Sequence, residues 1–372
     1  MSKANLLFLW RDQKCCAPFH TGVSLHSHTM HSRESFAFIP QYMRDIPLVP
    51  GQLRRQEQRY QQMTGKPLDY NRGHWTPPLP PAEAVELETR QIEDKLSLRA
   101  LVSLTDHDNI EAGYELQTRA GSRAVPVSVE WKVPIGPTYL HIGVHNLPPE
   151  RARDIFENLK GYTRNPRPQL LSELLELLNG FEQTLIVLNH PLWDQSGIGC
   201  QEHLTVVHEL IESAGQWIHA IELNGLRSWA ENDAVMDLAA ASNLPLISGG
   251  DRHGCQPNAI LNVTNAPTFA AFVSEVRDGR SDILFMPQYR KALKSRVLAE
   301  LCDVLRDHPE LNGRKRWSDR VFYYRTPDET LPLSKVWNGH EPKIVKYFVG
   351  AVRVIETTRL PDILGFCLSG HR

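Results

Sequence analysis

The run Gly22-Val23-Ser24-Leu25-His26-Ser27-His28-Thr29 reads as a short strand that ends in two histidines spaced two residues apart. Side chains i and i+2 of a strand share one face, so both imidazoles can reach one ion. Six more β-rich runs follow, each delivering His, Asp or Glu at or near its end. Residues 100–105 (ALVSLT) run into Asp106-His107-Asp108, and 125–131 (VPVSVEW) carry Glu130. Residues 139–144 (YLHIGV) contain His141, and 185–189 (LIVLN) run into His190-Pro191. Residues 218–223 (IHAIEL) carry Glu222, and 245–248 (PLIS) lead to Asp251-Arg252-His253. Runs this short and apolar suit strands buried on both faces.

Helical patterns cover 82–98, 169–178, 202–214 and 228–241, the second stopping at Asn179-Gly180, a C-cap signal. Strands alternating with helices predict an α/β fold with a parallel sheet, open or closed into a barrel. In β/α barrels the C-terminal ends of the strands form the active face. Ligand-type residues at all seven ends therefore predict a metal site there. Mixed imidazole and carboxylate ligands suit zinc, manganese or iron rather than calcium. Carboxylates packed together also need a cation to offset their repulsion.

Composition narrows the classes. At 372 residues the chain has room for two domains, or one large α/β domain with additions. Its 41% hydrophobic and 23% charged residues match a soluble globular protein. The formal net charge of −2 gives no global basic surplus for nucleic acid, which is a partner class not indicated by charge. A chain of this size buries a core without staples, so a metal is expected to serve chemistry rather than folding. Six scattered cysteines (Cys15, Cys16, Cys200, Cys255, Cys302 and Cys367) form no C-x-x-C and suggest reduced thiols in the cytoplasm. The early apolar run Leu6 to Trp10 is too short for a signal-peptide core or a membrane span. Neither a phosphate loop nor a G-x-S-x-G elbow occurs.

Two segments break the rhythm. Residues 35–78 are rich in proline and aromatics, and six cations face three anions there. So long a connection reads as a lid or inserted subdomain, with Arg54, Arg55 and Arg59 as candidate contacts to an anionic substrate. Residues 291–372 read as a mostly helical extension, within which 343–358 fit either a helix or a strand.

The ordered motifs Leu25-His26-Ser27-His28-Thr29, Leu104-Thr105-Asp106-His107-Asp108, Glu130 with His141, Asn189-His190-Pro191 and Gly249-Gly250-Asp251-Arg252-His253 resemble the PHP (polymerase and histidinol phosphatase) superfamily of metal-dependent phosphoesterases. The resemblance implies a distorted seven-stranded, TIM-like (β/α)7 barrel over 17–290, interrupted by the 35–78 insertion. It implies two or three divalent ions per chain, manganese, zinc or iron. The first would take His26, His28, Glu130 and Asp251, and the second Glu130, His141 and His190. The third would take His107 and His253, completed by Glu34 or, as a rival, His31. Hydrolysis of a phosphate ester by a metal-bridging hydroxide follows, with Asp251, His190 and His253 as catalytic residues. The substrate would be a small phosphorylated anion. Arg252 stands where relatives carry a small residue, and would either clamp a phosphate or pair with a neighbouring acid. Two rival readings are an amidohydrolase-like enzyme acting on a C–N bond, in which Lys132 would be the lysine to carboxylate, and a degenerate barrel serving as a binding module. The oligomeric state is open.

Overall fold

The computed structural model describes residues 4–36, 49–118, 125–326 and 329–337, together with 345, 347, 349 and 350. Its strands are β1 (Asn5–Phe8), β2 (Thr21–Ser24), β3 (Glu34–Ser35), β4 (Gly73–Trp75), β5 (Arg99–Val102), β6 (Val127–Ile135) and β7 (Thr138–Leu147). There follow β8 (Leu185–Asn189), β9 (Ala220–Asn224), β10 (Leu246–Gly249), β11 (Ile260–Thr264), β12 (Asp282–Phe285), β13 (Val321–Thr326) and β14 (Glu329–Pro332). They form three sheets in the orders β1-β12-β11-β2-β5, β10-β9-β8-β7-β6 and β14-β13-β4-β3. The architecture is mixed α/β, and none of the three sheets is itself closed into a barrel. Isolated parallel bridges, Ser27 to Arg252 and His107 to Glu130, join the two five-stranded sheets beyond the ends of β2, β10 and β5.

All seven runs read as strands from the sequence overlap one. The sheet is not parallel throughout, however. β6 pairs antiparallel with β7, and β7 antiparallel with β8, whereas β8-β9, β9-β10 and β2-β5 are parallel. Only Gly136 and Pro137 separate β6 from β7, with Gly136 at φ +53° in open space. Two residues can turn a chain back on itself but cannot carry a parallel crossover. This reversal matters for function: it sets His141, near the start of β7, opposite Lys132 and Asn189, near the ends of β6 and β8.

The helices explain where the strands stop. Pro81–Leu96 and Pro168–Asn179 begin on proline, whose missing N–H costs nothing in a first turn. Trp229–Ser242 is capped by the Ser228 hydroxyl, which accepts from the Glu231 N–H, and ends on Asn243 in the left-handed region. Helices pack their apolar faces on the strands around Val129, Trp131, Ile142, Leu188 and Ile221, all fully or almost fully buried.

The ends of the insertion are paired. β3 lies antiparallel to β4, with Glu34 opposite Trp75, and β13 covers the other edge of β4. Between them, the helix Val49–Thr64 is tied to the turn Tyr70–Arg72 by the Tyr70 hydroxyl, which donates to Glu57 (2.8 Å). Beyond residue 290 comes the helix Leu293–Leu305, but the described part of that region also includes the β13-β14 hairpin. Most of 343–358 and Cys367 lie outside the described residues. The other five cysteines form no disulfide. Among the described residues no helix is long and apolar enough to cross a membrane.

Candidate metal centre

The middle of β6 supplies the centre of the site. Glu130 is fully buried, and its two carboxylate oxygens are flanked by imidazoles of His26, His107, His141 and His190 at 3.1 Å and of His28 at 3.4 Å. Asp251 adds a second acid, 3.6 Å from both His26 and His28. Glu34 adds a third, 3.1 Å from His107 and 3.3 Å from His253. These side chains make four overlapping groups whose donor atoms lie within 4.8 Å of one another. They are His28, Glu34, His107 and His253; His26, His28 and Glu130; His26, His190 and Asp251; and His107, Glu130 and His141.

The nine residues predicted as ligands are thus brought together. Glu34 completes the His107-His253 group, while His31 points elsewhere and pairs with Glu115 at 3.1 Å. The sequence expectation of i, i+2 histidines on one face is met in effect, although β2 ends at Ser24 before either of them. His26 sits at φ +59°, Asp251 at +57° and His190 at +26°. Non-glycine residues rarely adopt that region, and such strain concentrates at functional sites. Around Asp251 the conformation is fixed by backbone pairing: the Asp251 N–H donates to the His26 carbonyl (2.6 Å) and the His28 N–H to the Arg252 carbonyl (2.9 Å).

The donor set fits divalent cations. His26 Nδ1 faces Glu222 at 2.6 Å, His253 Nδ1 faces the Asp251 carbonyl at 2.8 Å, and His28 Nδ1 faces the Ser32 hydroxyl at 3.3 Å. Ser32 donates its own proton to Glu34 (2.5 Å) and so accepts from His28. In each case the outer nitrogen has a partner that takes its proton, which leaves Nε2 as a lone pair aimed inward, the usual arrangement for a ligating histidine. Nε2 of His26, Nε2 of His28 and Oε2 of Glu130 are buried and make no hydrogen bond. Leaving three such atoms unmet is costly unless something else satisfies them, and a cation does so.

The electrostatics divide the imidazoles: burial is outweighed at His26 by Glu130, Glu222 and Asp251 and at His253 by Glu34, so without an ion both are raised toward the protonated form. For Glu130 burial favours the neutral acid, but His26, His141 and His107 outweigh it and hold the carboxyl well below its usual range. For Glu34 burial is likewise outweighed, by His107 and His253, and the group stays ionised. Burial and the neighbouring His253 push His28 down to about 3, so its imidazole is neutral and free to ligate at neutral pH. His107 is the opposite case: burial is overcome by Glu34 and Glu130, and it rises to about 10 while flanked by both acids.

Around this centre the structure places residues that the sequence reading left at the margin or missed. Glu222 orients His26 and accepts from Asn224 (2.5 Å), whose amide also reaches Asp251 (3.3 Å). Arg227, absent from the sequence reading, is buried, with NH2 3.4 Å from Asp251 and its guanidinium 3.7 Å from the centre of the Trp193 ring. No spacing rule links it to the motifs, because it arrives on the loop after β9. Gln195 lies 3.1 Å from His141 Nδ1. The Lys132 ammonium sits 3.7 Å from the centre of the Tyr139 ring.

Of the two readings of Arg252, the contacts are those of the second. The side chain is buried and pairs with Glu88 of the helix Pro81–Leu96 at 2.9 Å, and it also donates to the Gly254 carbonyl. Arg54, Arg55 and Arg59 are exposed on the helix Val49–Thr64. His145, buried outside the four donor groups, meets the hydroxyl of Ser103 at 2.8 Å.

No protein-family model matches the chain, and no curated protein matches it. Among solved structures it is similar to PsfC from Pseudomonas syringae, at 19% identity over 59% of this chain and 88% of that one, with a TM-score of 0.40. It is similar to an amidohydrolase from Chromobacterium violaceum at 17% identity over 48% and 84%, with a TM-score of 0.34. A protein from Bifidobacterium adolescentis assigned as a metal-dependent phosphoesterase matches at 13% identity over 69% and 96%, with a TM-score of 0.34. Likenesses this weak decide neither fold nor activity.

Proposed function

We propose that the chain is a metal-dependent hydrolase of phosphate esters, built on a distorted seven-strand ring of the PHP type. The observation that carries the reading is Glu130, one buried carboxylate shared among five imidazoles with its Oε2 and two facing Nε2 atoms unmet. The ring is supported by the two bridges. Taken with the sheets, they allow the order β2-β5-β6-β7-β8-β9-β10 to return to β2. The first ion would be held by His26, His28, Glu130 and Asp251, the second by Glu130, His141 and His190, and the third by Glu34, His107 and His253.

Divalent ions in these groups would supply water activated at neutral pH and positive charge for the oxygens around phosphorus. The protein's own contribution is orientation. Glu222, Ser32 and the Asp251 carbonyl hold three imidazoles in one tautomer. His190 lies deep, its side chain 3% exposed, whereas those of His107 and His253 are 18% and 15% exposed. Substrate therefore approaches from the His107-His253 side. Any proton given to the leaving oxygen comes from that side.

The insertion starts from the strand that carries Glu34 and returns beside it on β4, so its base adjoins the open side of the centre. We assign Arg54, Arg55 and Arg59 to recruitment of an anionic substrate. Mutating all three to Ala is expected to raise KM several-fold for the natural anionic ester and to leave turnover of a small generic phosphoester almost unchanged. Both substrates are measured on one preparation. An equal loss of kcat on the generic ester would make the segment a support of the metal site. No change on either would make it an appendage.

The function itself is tested by screening phosphomonoesters, dinucleotides and amides with manganese, zinc or iron added. Turnover of a phosphoester that is lost in Glu130→Ala is expected. Turnover of amides alone would overturn the phosphate assignment.

A further inference from the structure

The helix Leu293–Leu305 lies outside all seven motif-bearing strands, yet one face of it reaches two loops of the centre. Arg296, Glu300 and Asp303 recur at i, i+4 and i+7, and so share that face. Arg296 is buried and donates to the carbonyls of Gly225 and, at 2.9 Å, of Arg227. It thereby fixes the loop that brings Arg227 to Asp251. Glu300 accepts the N–H groups of both His253 (2.7 Å) and Gly254, and Asp303 accepts that of Cys255 (2.8 Å). These three N–H groups are consecutive, starting two residues after Asp251. A Cβ on Gly254 would come within 2.9 Å of carboxylate oxygens of both Glu300 and Asp303, so a side chain there would displace the two acids.

We infer that Glu300 is a positioning residue for His253: its carboxylate, by holding the His253 and Gly254 N–H groups, keeps the His253 ring against Glu34 and so sets affinity at the His28-Glu34-His107-His253 group. The carboxylate is committed to backbone N–H groups and acts through His253 rather than on the ion itself. This couples the region after residue 290 to the metal centre. Partners that orient a ligand in this way typically carry about 10- to 100-fold in metal affinity. The inference rests on the metal reading above, and the test separates the two.

Metal content and affinity are measured by titrating chelator-stripped protein with Mn²⁺ and with Zn²⁺, for wild type, Glu300→Ala, Glu300→Gln and His253→Ala. Glu300→Ala is expected to weaken one equivalent by roughly 10- to 100-fold, the same equivalent that His253→Ala weakens. Glu300→Gln, whose amide oxygen can accept the same two N–H groups, is expected to stay within a few-fold of wild type. If Glu300→Ala does not fold, two measurements still decide: the Glu300→Gln titration, and amide exchange at His253 and Gly254 in the metal-free wild type. Both amides are expected to be protected, and rapid exchange at either overturns the inference. So does equal metal loss in the Gln and Ala variants, or wild-type affinity in Ala. If wild type itself binds no metal, it is the metal reading that fails.

Discussion

Glu130→Ala is expected to remove most of the bound divalent metal and to lower kcat/KM at least ~1000-fold, about 4 kcal/mol of transition-state stabilisation. The size follows from its place: five imidazoles converge on this one carboxylate, and it contributes to two of the four donor groups. A ligand serving one group should cost less, and His141→Ala gives the comparison. The fold should survive, because the apolar core on β6, β7 and β8 is independent of the acid. Parallel metal analysis, circular dichroism and kinetics on the two variants check this. Normal turnover and metal content in Glu130→Ala would mean that the site lies elsewhere.

Stripping the ions with a chelator is expected to abolish turnover and to lower the thermal midpoint. An ion that binds only the folded chain and is present at a thousandfold excess over its Kd adds about 4 kcal/mol of stability. The apo protein also keeps three ionised acids, Glu34, Glu130 and Asp251, in the interior, held ionised chiefly by neighbouring histidines. Adding back manganese, zinc or iron one at a time should restore both midpoint and rate, and the ranking of rates names the working metal. A chelated protein that melts and turns over as before would refute the role assigned to the ions.

Much of this site was legible because a strand-end residue has few directions in which to point. His26, His28, His107, Glu130, His141, His190, Asp251 and His253 all follow or sit in short apolar runs, and those runs deliver them to one place, although only Glu130 and His141 lie within a strand. The seven runs were legible for the same reason. The reversal of β7 was not, since alternation of runs and helices suggested parallel strands, and only the two-residue Gly136-Pro137 connection announced the hairpin. Glu34 against His31 stayed open in the sequence because neither lies in a run. Pairing of β3 with β4 decides it by burying Glu34 beside His107. The fate of Arg252 depended on Glu88, which is 164 residues away in the chain. Arg227 and Glu300 carry no local pattern at all, since both act through contacts made when distant loops meet.

The most direct measurement is elemental analysis of the wild-type protein purified without chelator. More than one equivalent of divalent metal per chain is expected, since the donor groups are too many and too overlapping for a single four-coordinate ion. Well under one equivalent, not raised by incubation with manganese, zinc or iron, would contradict the assignment of a metal centre at Glu130.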